Sequence, residues 1–158
     1  MALEFTGAEF DQVLRKAQTL YSAIGPIHCP YFAGPVQFNA QGLEHLRHKA
    51  WNRGRERSDQ FMRLKHLARA PEILNLSRTV QGIQITHEWE RRRRHGRREK
   101  LLVSVTYFEF VAVLKERRFK VIVKQLPGGD RIFWSLIPFW RQTGEGKRVL
   151  HDGNPAQD

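Results

Sequence analysis

Residues 42–49, GLEHLRHK, place two histidines and a lysine within five positions. Read as a helix, His45 and His48 stand at i, i+3 and His45 and Lys49 at i, i+4, so the three share one face. Leu43 and Leu46 then point elsewhere and can anchor the helix. Imidazole is the side chain whose ordinary pKa suits proton transfer near neutrality. Two imidazoles beside an ammonium could move a proton and hold a phosphate. A solvated basic helix face would have the same pattern.

Residues 117–124, RRFKVIVK, read as a strand. Alternation puts Phe119, Val121 and Val123 on one face and Arg118, Lys120 and Lys124 on the other. Such a cationic row suits a phosphate backbone, although an exposed strand face with incidental charge is the competing description. In residues 131–140, RIFWSLIPFW, Ser135 is the one small hydroxyl among aromatic and aliphatic side chains. Buried there, it must find a partner in the protein or in a ligand. Phe133 and Phe139 read mainly as core, while exposed rings are how single-stranded RNA is commonly stacked.

Residues 91–98 hold six arginines in eight positions. Charges this dense repel, so the run reads as a hairpin loop that lends affinity for nucleic acid without specificity. His66 reads as surface, and His28-Cys29 lacks a base and an orienting partner for a thiol nucleophile. No P-loop, dinucleotide-type glycine motif, paired carboxylates or metal-ligand cluster is seen. No cofactor and no metal are expected.

The chain has 158 residues, with 27 Lys and Arg against 16 acidic residues, a net charge of +11. That length suits one domain with a single core, folding burying roughly 70% of its surface. The charge excess draws anionic partners, nucleic acid foremost. The single cysteine cannot form an internal disulfide, which fits a reduced, cytoplasmic setting. Glu4, Glu9 and Asp11 interrupt any signal-peptide core, and the apolar-rich stretch 101–114 is too short and polar to span a bilayer, so no membrane partner is expected.

The elements that must position these groups follow from periodicity. Phe10, Val13, Leu14, Ala17, Leu20 and Tyr21 predict a helix over 8–23, ended by Gly25-Pro26. Asn39 predicts an N-cap for a helix from 40 to about 57. Ser58 predicts a second N-cap for a helix over 59–70, and Pro71 opens a short helix to 76. Strands are expected from Val80, over 101–114, 117–126 and 131–140, with Pro127-Gly128-Gly129-Asp130 as a turn. Helices followed by consecutive strands give an α+β fold, N-terminal helices packed on a four-stranded antiparallel β-sheet. Residues 143–158 are polar and Gly-rich and read as a tail.

The pieces GLEHLRHK, VTYFEF, RFKVIVKQ and GGDRIFWS, in that order and over residues 36–139, resemble the superfamily that unites barnase, EndoU, the tRNA-cleaving colicins and RelE-type toxins. Colicin D-like and phage-associated members are the nearest parallel. The resemblance implies a ribonuclease-like α+β domain over 36–141, preceded by a helical extension (1–35) and followed by a flexible tail (142–158). It implies a metal-independent endoribonuclease, with tRNA among the substrates: a 2′-hydroxyl is deprotonated, attacks the adjacent phosphorus and leaves a 2′,3′-cyclic phosphate. Carried onto this sequence, the helical histidine falls on His45 or His48, with His45 favoured, and the helix cation on Lys49. The strand cations fall on Arg118, Lys120 and Lys124, and Ser135 is a phosphate contact. Tyr107 or Phe108 would stack a base. Arg53, Arg91, Arg92, Arg93 and Arg94 join Tyr107 and Arg118 as expected RNA contacts. A toxin or phage-related effector of this kind implies an acidic antitoxin or immunity protein as a second partner. The second histidine and the 91–98 run depart from the family pattern. A non-catalytic RNA- or DNA-binding protein on the same scaffold is the alternative.

Overall fold

A computed structural model describes residues 4–50, 53–139 and 154–158. Helix α1 (Gly7–Ala23) begins at a capping box: the Thr6 hydroxyl accepts from the Glu9 N–H, and the Glu9 carboxylate accepts from the Thr6 N–H. Its buried residues Phe10, Ala17 and Tyr21 enter the same core as the later helices. Strands β1 (Ile27–Cys29) and β2 (Gly34–Val36) form a small hairpin that adds Cys29 and Val36 to that core. Residues 4–35 therefore contribute side chains to the same core.

Helix α2 (Ala40–His45) starts at Asn39, whose side chain accepts from the Gln41 N–H at 3.1 Å. It does not run on to 57. Leu46 turns into the core, fully buried, and the helix gives way to a hairpin of β3 (His48–Ala50) and β4 (Arg53–Gly54). A distant side chain sets this end: the Arg55 Nε–H donates to the His45 carbonyl at 2.9 Å, satisfying a helix-terminal acceptor. Helix α3 (Arg57–Lys65) is preceded by Glu56, not Ser58, and stops at His66. Helix α4 (Arg69–Leu76) holds Pro71 in its first turn, where the missing N–H costs no hydrogen bond.

The strands β5 (Gly82–Arg94), β6 (Arg97–Leu114), β7 (Arg117–Gln125) and β8 (Arg131–Phe139) form one antiparallel sheet in the order β5-β6-β7-β8. With the four helices this is the expected α+β fold. His95-Gly96 and Lys115-Glu116 make the first two turns with positive φ at both residues, the geometry of tight hairpins whose twist matches the strands. The arginines at 91–94 are thus strand residues paired as far as Arg94 with Arg97, and only His95 and Gly96 lie in the turn. The loop expected over 91–98 is corrected: regular pairing satisfies the backbone of these residues despite their like charges.

Alternation gives the sheet two faces. Phe110, Phe119, Val121, Val123, Phe133 and Leu136 face the helices. Val105, Tyr107, Ile122 and Ile137 form a smaller cluster, with Trp134 and Ala156 packed against it. Arg118, Lys120 and Lys124 alternate with the inward phenylalanine and valines as expected, but Ile122 interrupts the cationic row and is fully buried. Gln37 extends the outer edge of β8: its N–H donates to the Arg131 carbonyl, and its carbonyl accepts from the Phe133 N–H, both at 2.8 Å. This fixes the approach of α2 to β8. No helix among the described residues is long and apolar enough to cross a membrane.

Candidate phosphate-binding cavity

Helix α2 lies against β8 because Gly42 has no side chain. A Cβ there would come within 2.6 Å of the Tyr21 hydroxyl and strike the Phe133 carbonyl. The close approach carries His45, three residues on, over Trp134. The sheet contributes a matching irregularity: Ile122 pairs with Ser135 and Val123 with Phe133, leaving Trp134 as the extra residue of a bulge. The imidazole and indole stack at 4.2 Å between centroids, with 21° between planes. The Lys124 ammonium sits 4.3 Å from the centroid of the same indole, a favourable cation–π distance.

Next to this stack opens a cavity of about 490 Å³. His45, His48, Lys49 and Lys124 line it, with Glu44 and Glu88 also on its wall. The helical face proposed for the histidines is corrected, since His48 and Lys49 belong to β3. The hairpin nevertheless returns both residues to the cavity that His45 reaches from α2.

His45 is 4% exposed. Its Nε2 lies 3.0 Å from the Arg55 guanidinium, which can only donate. The ring is therefore a neutral acceptor at that nitrogen. Burial first, then the charges of Arg55, Arg63 and Lys124, push its pKa down to about 2. A group so reluctant to take a proton is poorly suited to general base work at neutral pH. His48, the other sequence candidate, also lies on the cavity wall and is half-buried.

Ser135 is fully buried. Its hydroxyl accepts from Arg63 at 2.8 Å and donates to the main-chain oxygen of Asp158 at 2.7 Å. Arg63 is held by Asp59 at 2.6 Å, and Asp59 also faces Arg55 at 3.7 Å. The expected phosphate contact at Ser135 is thus filled by the chain itself, and the last described residues are not a free tail: Pro155 and Asp158 are buried. The remainder of the expected tail, to residue 153, lies outside the described residues.

The other sequence candidates are scattered. Lys120 pairs with Glu109 at 3.6 Å and does not line the cavity. Tyr107 cannot stack a base: it is fully buried and its hydroxyl donates to Glu88 at 2.7 Å, so burial and that carboxylate push its pKa upward. Phe108 packs edge-on against Phe32 in the helix-side core. Arg118 is exposed near the start of β7, Arg53 is exposed on β4, and Arg91 is exposed on β5. The side chains of Arg92, Arg93, Arg94 and Phe139 lie outside the described residues. His66, expected at the surface, is half-buried against Phe119, and burial followed by Arg117 pushes its pKa down to about 4. Cys29 is buried, and burial raises its pKa, as suits an unreactive core thiol.

Arg55, Arg63, Asp59 and Trp134 were missed as site residues. The first three carried a signal: Arg55, Asp59 and Arg63 are spaced by four, the spacing of ion pairs along one helical face. Trp134 had none, because only the bulge turns it toward α2.

Comparison with family models, with curated proteins and with solved structures finds no match for this chain.

Proposed function

We propose that the protein is a metal-independent endoribonuclease whose reacting phosphate sits in the cavity between α2, β3 and the β7–β8 edge. What carries the reading is the convergence of His48 and Lys49, from β3, and Lys124, from β7, on one cavity. Cations and an imidazole around one concave site are what in-line attack by a ribose 2′-hydroxyl requires. In this scheme His48 takes the 2′-hydroxyl proton. The 2′-oxygen bonds to phosphorus while the bond to the 5′-oxygen breaks. Lys49 and Lys124 stabilise the extra negative charge, and the Lys124 ammonium protonates the leaving oxygen. His45, neutral and fixed between Arg55 and Trp134, positions the wall and transfers no proton.

A non-catalytic RNA-binding protein is the second reading, favoured by the suppressed basicity of His45. Incubation with bulk tRNA in EDTA separates the two. The nuclease gives fragments ending in 2′,3′-cyclic phosphate, lost in His48→Ala and kept in His45→Gln. Intact tRNA with salt-sensitive binding leaves only the binding protein.

A further inference from the structure

Three donors converge on the main-chain oxygen of Asp158: the Arg63 guanidinium, the Arg55 guanidinium at 3.2 Å and the Ser135 hydroxyl at 2.7 Å. Arg55 also donates to the Gln157 carbonyl at 2.8 Å. All three donors are buried, with Arg63 and Ser135 at 0% exposure and Arg55 at 4%. Two guanidiniums and a hydroxyl aimed at one oxygen make an arrangement suited to a phosphate oxygen, since charge-assisted donors are strongest toward a full negative charge.

The segment that fills this niche also closes it off. Ala156 and Gln157 form part of the wall of the neighbouring cavity. The Ala156 carbonyl accepts from the Trp134 indole N–H at 3.3 Å, and Ala156 packs against the small apolar cluster of the sheet. With residues 154–158 withdrawn, the chamber holding His48, Lys49 and Lys124 would run on into the niche of Arg55, Arg63 and Ser135.

We propose that the Arg55–Arg63–Ser135 niche is a second phosphate subsite for RNA, and that residues 154–158 occupy it in the resting chain and leave when RNA binds. This rests on the RNA-directed reading above. Because the segment is part of the chain, it competes at a high effective concentration, of the order of millimolar. RNA must therefore outcompete an internal ligand, and its apparent affinity is reduced by the fraction of chains that are closed.

The test follows the amide signals of Ala156, Gln157 and Asp158 and the indole N–H of Trp134 by NMR in the full chain. The probe is a 2′-O-methyl dodecauridylate, which cannot be cleaved because its 2′-oxygen is blocked. Saturation is expected to move the three amides to positions of unstructured chain and to shift the indole signal. Binding that leaves them in place overturns the proposal. A chain stopped after Gly153, with its fold checked by the same spectra, is expected to bind the probe about tenfold more tightly, as for a resting chain open about a tenth of the time. Equal affinity of two folded chains, or absence of binding by both, overturns it. If the shortened chain fails to fold, the spectra of the full chain decide. Displacement without any cyclic-phosphate product from natural RNA removes the nuclease and leaves the subsite. Cleavage with the three amides unmoved does the reverse.

Discussion

The imidazole of His45 lies nearly parallel to the indole of Trp134, 4.2 Å from it, and Lys124 rests on the same indole. One aromatic ring thus sets the positions of two groups that come from different elements. Trp134→Ala should lower cleavage of tRNA at least tenfold while Trp134→Phe keeps most of it, because a phenyl ring preserves a surface for both partners. Contacts of this type contribute about 0.5–2 kcal/mol each, so the Ala variant should also melt earlier in a thermal scan.

Stability should fall with acid through two histidines. His45 and His66 are held neutral in the folded chain, with pKa values pushed down to about 2 and about 4. In the unfolded chain both titrate near 6.5. Above that pH neither form binds the extra protons, and the folded state keeps its full stability. As pH drops below about 6.5 the unfolded state takes up protons that the folded state refuses, so stability drains away toward pH 4 for His66 and further for His45. Urea midpoints measured from pH 7 to pH 4 should decline, and His66→Gln should flatten the decline. An unchanged slope in that variant would show that His66 is free to ionise when folded.

The two strand lysines should behave differently although the sequence treats them alike. Lys124→Ala removes a cavity cation that rests on Trp134. Lys120→Ala removes a partner of Glu109 away from the cavity. Single-turnover rates should drop by a hundredfold or so in the first, as for loss of one transition-state contact, and by less than threefold in the second. Similar losses in both would place the reacting phosphate along β7 instead.

Gly42→Ala tests the docking of α2. Its new methyl group would press on the Tyr21 hydroxyl and the Phe133 backbone, and overpacking of this kind costs about 1–3 kcal/mol or more. A lower denaturation midpoint should come with weakened His45–Trp134 stacking, visible in the Trp emission. A variant as stable as the parent would mean that α2 can shift outward without penalty.

The four-stranded sheet was legible because strand alternation is a local signal. Phe119, Val121 and Val123 needed only a period of two to be placed on one face. The end of α2 was not legible. Periodicity alone would carry a helix past Leu46, but the His45 carbonyl is taken by Arg55, ten residues on, and a long-range donor leaves no trace in the local pattern. The same holds for Ser135, whose need for a partner was readable while the partner, Asp158, was not. Dense charge misled in the opposite direction at residues 91–94, where backbone pairing overrides side-chain repulsion. The grouping of His45, His48 and Lys49 was anticipated on the wrong geometry: a helix face was expected, and a helix end plus a hairpin bring them to one cavity.

Strand β7 pairs with β6 only from Thr106 onward. Among the described residues, the part of β6 before it, 97–105, pairs with β5 alone, so the two strands project past β7 as a ribbon about 30 Å long at roughly 3.4 Å per residue. Arg91, Arg97, Arg98 and Lys100 are exposed along its outer part and Trp89 is 69% exposed. That reach approaches one turn of a nucleic-acid duplex, about 34 Å. A substrate long enough to touch both ribbon and cavity would be gripped at two distant points, so affinity should climb steeply once an oligonucleotide exceeds the span between them and level off beyond it.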